Sequence, residues 1–452
     1  MRQLPDQART SELIAQCQAE LPQGLVPPAV FSDPDLYNEE LKRIFARTWV
    51  FVGHESEIPN PGDFVQRYIG DDPFIVIRDQ SSTVRCMLNA CRHRGAQVCR
   101  VEAGNAQAFV CPYHGWTYSA SGDLVGVPVK SLGYANLNFD DWGLLSAPNI
   151  AIYAGLIFVN LDPDAMPFEE YLGEYAWYLD LNFQLTEGGM EILGEPHRWQ
   201  VEANWKQGAE NFCGDSAHTQ MTHRSALSID VVDLTSAGAP QEDAGIHVHD
   251  ISGHAVSIRR RPGEKPFFSY PPEVRRHFDP ELLDEGQYAL AEESLLHNGT
   301  LFPNFSFLHI GLSDETGKEP TGFMTIRLWM PKGPRQMEII SWVMAPREAS
   351  EEYKRKAYKV GMSTFSPAGS FEQDDVSVWP GAARTGTSTF AQASGMLYNY
   401  QMGLGDMSPL PPKSDWAGPG EVDASNAGEG GLRSFHKTWL RWMSEPNSEQ
   451  QK

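Results

Sequence analysis

Two short pairs, Cys91-Arg92-His93 and Cys111-Pro112-Tyr113-His114, are separated by 17 residues, and each is embedded in β-type sequence. Brought together they supply two thiolates and two imidazoles, a donor set that serves a structural zinc ion and an iron–sulfur cluster about equally well. The iron option has a redox consequence that zinc lacks. Two neutral imidazoles in place of two thiolates make a cluster less negative and raise its potential. The chain has only six cysteines (Cys17, Cys86, Cys91, Cys99, Cys111 and Cys213). A reducing compartment keeps such thiols available to metals, so disulfides are not expected.

A second constellation lies downstream. The run Glu210-Asn211-Phe212-Cys213-Gly214-Asp215-Ser216-Ala217-His218-Thr219-Gln220-Met221-Thr222-His223 packs three candidate ligands and two orienting groups into 14 residues. One distant carboxylate would complete a face of two histidines and one carboxylate, which holds iron(II) and leaves coordination positions open. On an ideal helix Asp215 and His218 are neighbours, whereas His218 and His223 diverge by about 140°. The helix is therefore expected to end, tighten or bulge between them. Isolated histidines, namely His54, His197, His247, His249, His254, His277, His297, His309 and His436, are read as ordinary core or surface residues.

The 452-residue length exceeds what one hydrophobic core supports, so two domains are expected. Residues 32–49 begin with Asp33-Pro34 and place Leu41, Ile44, Phe45 and Trp49 at helical spacing, predicting an amphipathic helix. From about residue 50 to 162 the texture is short β-rich runs, such as Phe74-Ile75-Val76-Ile77, between turn signals. Beyond residue 166 a helical stretch precedes the second constellation, long strands at 323–330 and 337–344, and a helix at 348–362. Residues 260–285 and 403–431 read as surface loops.

With 36 basic and 59 acidic residues the net charge is −23, which repels nucleic acid and anionic lipid. The first 20 residues lack a secretory apolar run, and no segment is long enough to span a bilayer, so a cytoplasmic chain is expected. No Gly-x-Gly-x-x-Gly fingerprint for a dinucleotide is present.

The flanking residues narrow the choice of metal. Cys91-Arg92-His93-Arg94-Gly95 followed by Cys111-Pro112-Tyr113-His114-Gly115-Trp116 resembles the Rieske fingerprint of ring-hydroxylating oxygenases. The second run, with Asn204-Trp205-Lys206 before it, resembles the catalytic domain of Rieske non-haem iron dioxygenase α subunits of the naphthalene and biphenyl type, and the likeness runs from about residue 35 to 400. The resemblance implies an α+β chain. Its expected parts are an N-terminal helical segment (residues 1–49) packing with the catalytic domain, an all-β Rieske domain (50–165), and a catalytic domain (166–452) with an antiparallel sheet flanked by helices, of helix-grip type.

The resemblance also implies the ligands. Cys91, His93, Cys111 and His114 would hold a [2Fe–2S] cluster shielded by Trp116, with Gly95 and Gly115 letting backbone amides approach its sulfides. His218 and His223 would hold Fe(2+). The third ligand would come from Phe371-Glu372-Gln373-Asp374-Asp375, which aligns Asp375, with Asp374 as the alternative. Asp215 would not bind iron but would hydrogen-bond a ligand histidine and a cluster histidine of a neighbouring subunit, while Asn211 would stand beside the vacant side of the iron.

Productive oxygen cleavage takes more electrons than one ferrous ion supplies, and a Rieske cluster is a store for them. The implied reaction adds both atoms of O2 to an aromatic ring, giving a cis-dihydrodiol, with electrons from NADH through a separate flavin reductase and a ferredoxin. A small β subunit in an α3β3 assembly is implied, with α3 as the alternative. A polycyclic hydrocarbon is the expected substrate, in a pocket of Phe212, Phe302, Leu308, Phe365 and Phe371. The alternative is an aromatic carboxylate (a benzoate, phthalate or salicylate) bound through Arg198, Arg224 or Arg327. A non-enzymatic electron carrier with scaffold would need neither Asp215, His218 nor His223.

Overall fold

The computed structural model describes residues 7–225, 245–261, 263–313, 318–404, 416–423 and 428–444. The chain forms two compact units, Phe45–Met166 and Met1–Ile44 together with Pro167–Lys452.

The smaller unit is built from short antiparallel strands. Val84–Leu88, Asp72–Arg78, Asp63–Ile69 and Ala103–Asn105 pair in that order, and two three-stranded sheets join Asn149–Tyr153, Leu156–Asn160 and Val50–His54, and Ala108–Val110, Thr117–Ser119 and Leu124–Gly126. The runs Ile75-Val76-Ile77 and Ile157-Phe158-Val159 are buried throughout. Such unbroken apolar runs mark strands covered on both faces rather than half-solvated ones. Cys91 and Cys111 belong to the same core cluster as Phe64, Ile77, Phe109 and Tyr118.

The larger unit is organised on an eight-stranded antiparallel sheet, ordered Met190–Val201, Gln336–Pro346, Thr321–Gly333, Phe305–Leu312, Ser294–Leu301, Ala255–Arg260, Ile246–His249 and Glu421–Asp423. Register pairs Ser257 with Asn298, Asn298 with Leu308, and Leu308 with Thr325, and in the next row Arg259 with Leu296, Leu296 with Ile310, and Ile310 with Phe323. Directly paired residues share a face. This face carries the Trp205–Phe212 and Glu351–Phe365 helices, since Gly208 abuts Trp329 and Gly361 abuts Val343. A Cβ on Gly208 would lie 2.3 Å from the Trp329 ring, so only glycine lets that helix sit so close. The opposite face is covered by Phe183, which meets Phe305 and Phe307, and by Phe268, stacked on His309.

Three sequence expectations change. The 32–49 stretch is α-helical only over Pro34–Glu40, where the Asp33 carboxylate accepts from the Asp35 and Leu36 amides, and then widens into a π turn at Leu41–Phe45. Glu40 explains its special place: its buried carboxylate pairs with Lys206 and accepts from Trp205 Nε1 at 2.8 Å and Trp439 Nε1 at 2.7 Å. Tertiary pairing, rather than helical periodicity, governs this segment. Within 403–431, Glu421–Asp423 is a strand pairing with Ile246–His249, while residues 405–415 and 424–427 lie outside the described residues. Within 260–285 the chain is not all surface, because Phe267 and Phe268 are buried.

Among the described residues, no helix is long and apolar enough to cross a membrane.

Candidate metal centres

The two Cys/His pairs sit in loops of identical backbone plan. The Cys91 amide donates to Ala96 O and the Gly95 amide to Cys91 O, both at 2.8 Å; in the second loop Cys111 donates to Trp116 O at 2.8 Å and Gly115 to Cys111 O at 2.9 Å. Gly95 and Gly115 share φ +74°, a left-handed conformation that glycine adopts without strain. That requirement explains why each cysteine is followed four residues later by glycine.

The repeated turn brings the four donors together. The His93 and His114 ring centroids are 4.5 Å apart, Trp116 stacks on His93 at 5.1 Å, and Tyr118 Oη lies 3.3 Å from Cys91 Sγ. Cys91 and Cys111 are 3% and 2% exposed. Nδ1 of His93 and Nδ1 of His114 are buried with no hydrogen-bond partner among the described residues. An unsatisfied buried nitrogen costs about 1–3 kcal/mol, so two facing two buried thiols call for a common ligand. Burial pushes the Cys91 thiol above its ordinary value and the adjoining Cys111 adds to this, so thiolates here require a cationic partner such as iron. Cys17, Cys86, Cys99 and Cys213 are buried free thiols, in no disulfide.

At the second constellation the helix does break. Trp205–Phe212 is capped by Asn204 and ends at Cys213, and Gly214 follows with φ +119°. His218 and His223 then flank the single turn Thr219–Thr222. Reversing the chain at Gly214 removes the 140° divergence that about 3.6 residues per turn would impose. The loop is tied to the sheet by Ser216, whose hydroxyl lies 3.2 Å from His247 Nε2 and 3.0 Å from Ser257 Oγ.

Asp375 comes from the first turn of the Glu372–Thr385 helix. Its Oδ1 lies 3.7 Å from His218 Nε2 and 3.5 Å from His223 Nε2, and one donor atom from each of the three residues falls within 4.8 Å of the others. Asp374 points elsewhere, with its Oδ2 3.5 Å from His223 Nδ1 and a carboxylate oxygen accepting from Ser225. His218 Nδ1 contacts the Asp215 carbonyl, and Asp215 Oδ2 lies 3.5 Å away. A nitrogen facing a carbonyl oxygen must carry the proton, so the lone pair of His218 is on Nε2, the atom aimed at Asp375. Such outer carboxylates orient metal-binding imidazoles.

Electrostatics fits a cation at the meeting point. Burial, with His218 adding to it, lowers His223 to about 4 and keeps it neutral, while burial pushes Asp375 up to about 7. For Asp375 the nearby Glu372 adds to the rise, and His218 opposes it. A divalent ion would supply the positive charge that the buried carboxylate lacks.

These groups open into a pocket enclosing about 680 Å³ of space, part of it continuous with solvent. Phe212, Leu308, Phe365 and Phe371 line it, as does Asn211. Phe302 does not: it is fully buried against Trp205 and Phe435, because it follows the last residue of the Ser294–Leu301 strand and turns into the core there. Of the arginines considered for a carboxylate, Arg327 is buried against Glu372 and Arg224 is exposed. Sequence reasoning missed Leu296, Ile310, Asn298 and Arg259, all in the lining. Alternation through Leu308, Ile310 and Leu312 was the available signal.

Residues 48–135 match the Rieske [2Fe-2S] domain family, and residues 168–445 match the ring-hydroxylating alpha subunit catalytic domain. The chain is 37% identical to the N,N-dimethyl phenylurea N-demethylase subunit alpha of Sphingobium sp. (strain YBL2), over 97% of this chain and 96% of that one. It is 34% identical to the biphenyl 2,3-dioxygenase subunit alpha of Rhodococcus jostii (strain RHA1), over 94% and 90%. The crystal structure of naphthalene 1,2-dioxygenase from Rhodococcus sp. bound to indole superposes with a TM-score of 0.88 at 39% identity, covering 97% of this chain and 98% of that one. The chain belongs to the family of ring-hydroxylating dioxygenase α subunits. Its cofactors are accordingly a Rieske cluster and a non-haem iron, and the two donor sets fit them.

Proposed function

We propose that this chain is the α subunit of a terminal oxygenase in which Cys91, His93, Cys111 and His114 hold the Rieske cluster and His218, His223 and Asp375 hold the mononuclear iron. When bound, these groups supply stored electrons and a ferrous centre with free positions for dioxygen. The observation that carries the reading is the convergence of two Nε2 atoms and one carboxylate oxygen at the floor of an aromatic-lined pocket. The Asp215 carbonyl accepts from the protonated Nδ1 of His218, and the Asp374 carboxylate 3.5 Å from His223 Nδ1 favours a proton there, which leaves both Nε2 lone pairs directed inward. Phe212, Leu308, Phe365 and Phe371 bury a flat ring and exclude water beside Asn211. Asp215 also serves the neighbouring subunit's cluster in a ring of α subunits, with a β subunit, a ferredoxin and an NADH-dependent reductase as partners.

The product is the cis-dihydrodiol of an aromatic ring. Turnover of a panel of arenes under isotopically labelled dioxygen, with ferredoxin and reductase added, should place both labelled atoms on adjacent ring carbons. Failure to label any arene would remove the proposal. A second reading is favoured by the 37% identity to an N-demethylase subunit: oxidation of an N-methyl group on an aryl substrate. It predicts formaldehyde and no labelled ring carbon when an aryl substrate bearing an N-methyl group is added to the panel.

A further inference from the structure

The pocket is lined by a cation, Arg259, that makes no ion pair among the described residues. Arg259, in the Ala255–Arg260 strand, lines the space it shares with His218 and Asp375, and with Leu296 and Ile310 it also lines a larger neighbouring cavity. It therefore stands where the two spaces meet. Its Nε is buried without a hydrogen-bond partner, and among the described residues no carboxylate pairs with it.

Its neighbours are treated differently. Arg260 pairs with Glu293, Arg261 with Glu264, Lys265 with Glu292, and the buried Arg327 with Glu372. Burial pushes the Arg259 guanidinium below the ordinary arginine range, so an acceptor beside it would favour its charged form. A guanidinium offers five donors in a fixed fork and accepts nothing, so an acceptor on an incoming molecule can engage it through two parallel hydrogen bonds.

We propose that Arg259 is a specificity-determining residue that binds an oxygen acceptor, a carboxylate or a carbonyl, carried by the aromatic substrate whose ring lies among Phe212, Leu308 and Phe365. The inference rests on the oxygenase reading for the identity of the pocket. It adds that a bare hydrocarbon leaves the strongest donor in the pocket unused.

The test holds the ring constant and varies the substituent. Naphthalene, 2-naphthoate and 2-naphthamide are titrated against the oxidised holoenzyme, which binds without turning over when no reductant is present. At least one oxygen-bearing ligand should bind about tenfold to a hundredfold more tightly than naphthalene, and Arg259→Met should abolish the difference. Preference for 2-naphthoate alone identifies an anionic substrate, and preference for both identifies a carbonyl reader. Arg259→Lys, which keeps the charge and loses the fork, should retain part of the 2-naphthoate preference and serves if the methionine variant does not fold. Equal binding of all three ligands by the wild type overturns the inference, as does a preference that survives in Arg259→Met or a uniform loss across the ligands. Because binding is read without catalysis, absence of any oxygenated product would count against the oxygenase reading and not against this one.

Discussion

Arg327 Nη1 and Glu372 Oε2 lie 2.5 Å apart, with side chains 1% and 2% exposed, one helical turn ahead of Asp375. The pair joins the Thr321–Gly333 strand to the start of the helix that carries the carboxylate of the second centre. Burial raises Glu372 and Arg327 opposes that rise, so each charge depends on the other. Arg327→Met should therefore destabilise the catalytic unit by about 3–5 kcal/mol, because it strands a buried carboxylate. Arg327→Met combined with Glu372→Gln should recover much of that loss. Urea unfolding of the single and double variants measures both, and equal losses would show that the pair is not what the arginine supports.

Asp375 and Asp374 are adjacent in sequence but face different nitrogens of the histidine pair. Asp375→Ala should lower the iron content from about three to about two atoms per chain while leaving the visible spectrum of the cluster in place. Asp374→Ala should retain the iron. Metal analysis beside the visible spectrum decides, and loss of iron from the Asp374 variant alone would reverse the assignment.

For the first centre, the two unpartnered imidazole nitrogens identify which substitution tunes the potential. His114→Cys exchanges a neutral donor for a thiolate and adds negative charge at the cluster. Its reduction potential should fall by on the order of 100 mV or more, read by redox titration. Cys99→Ser should leave both potential and colour unchanged, since Cys99 Sγ is engaged with the Val101 carbonyl.

Acid sensitivity should arise behind the metal loop. His247 Nδ1 faces Gly428 O at 2.9 Å and so carries the proton, leaving Nε2 to accept from Ser216. Burial lowers its pKa to about 4 from an ordinary 6.5. The unfolded chain takes up a proton at higher pH than the folded one. The contribution of neutral His247 is thus present above pH 6.5 and is lost as pH falls toward 4, by at most about 1.4 kcal/mol per pH unit. His297, lowered by burial to about 3, behaves the same way. His247→Gln should flatten the fall of unfolding free energy between about pH 6.5 and pH 5, and an unchanged slope would exclude this histidine as the cause.

Much of the chemistry was legible from short-range pattern. Cys91, His93, Cys111 and His114 are recognisable because two loops repeat one backbone plan, and a repeated turn leaves a repeated Cys-to-Gly spacing in the sequence. The break between His218 and His223 follows from helix geometry, and Gly214 marks its place. The strands at Thr321–Gly333 and Gln336–Pro346 were visible in their apolar runs.

Long-range relationships were not visible. Glu40 meets Lys206, Trp205 and Trp439 across most of the chain, Phe302 turns into the core rather than the pocket, and Arg259 lines the pocket with no ion-pair partner among the described residues. The sequence alone determined the donor types and their local spacing, because both reside within one turn of backbone. Only the tertiary structure decided which carboxylate oxygen faces two imidazoles and which cation is left unpaired. Those outcomes depend on the register of an eight-stranded sheet, which joins residues that no local periodicity relates.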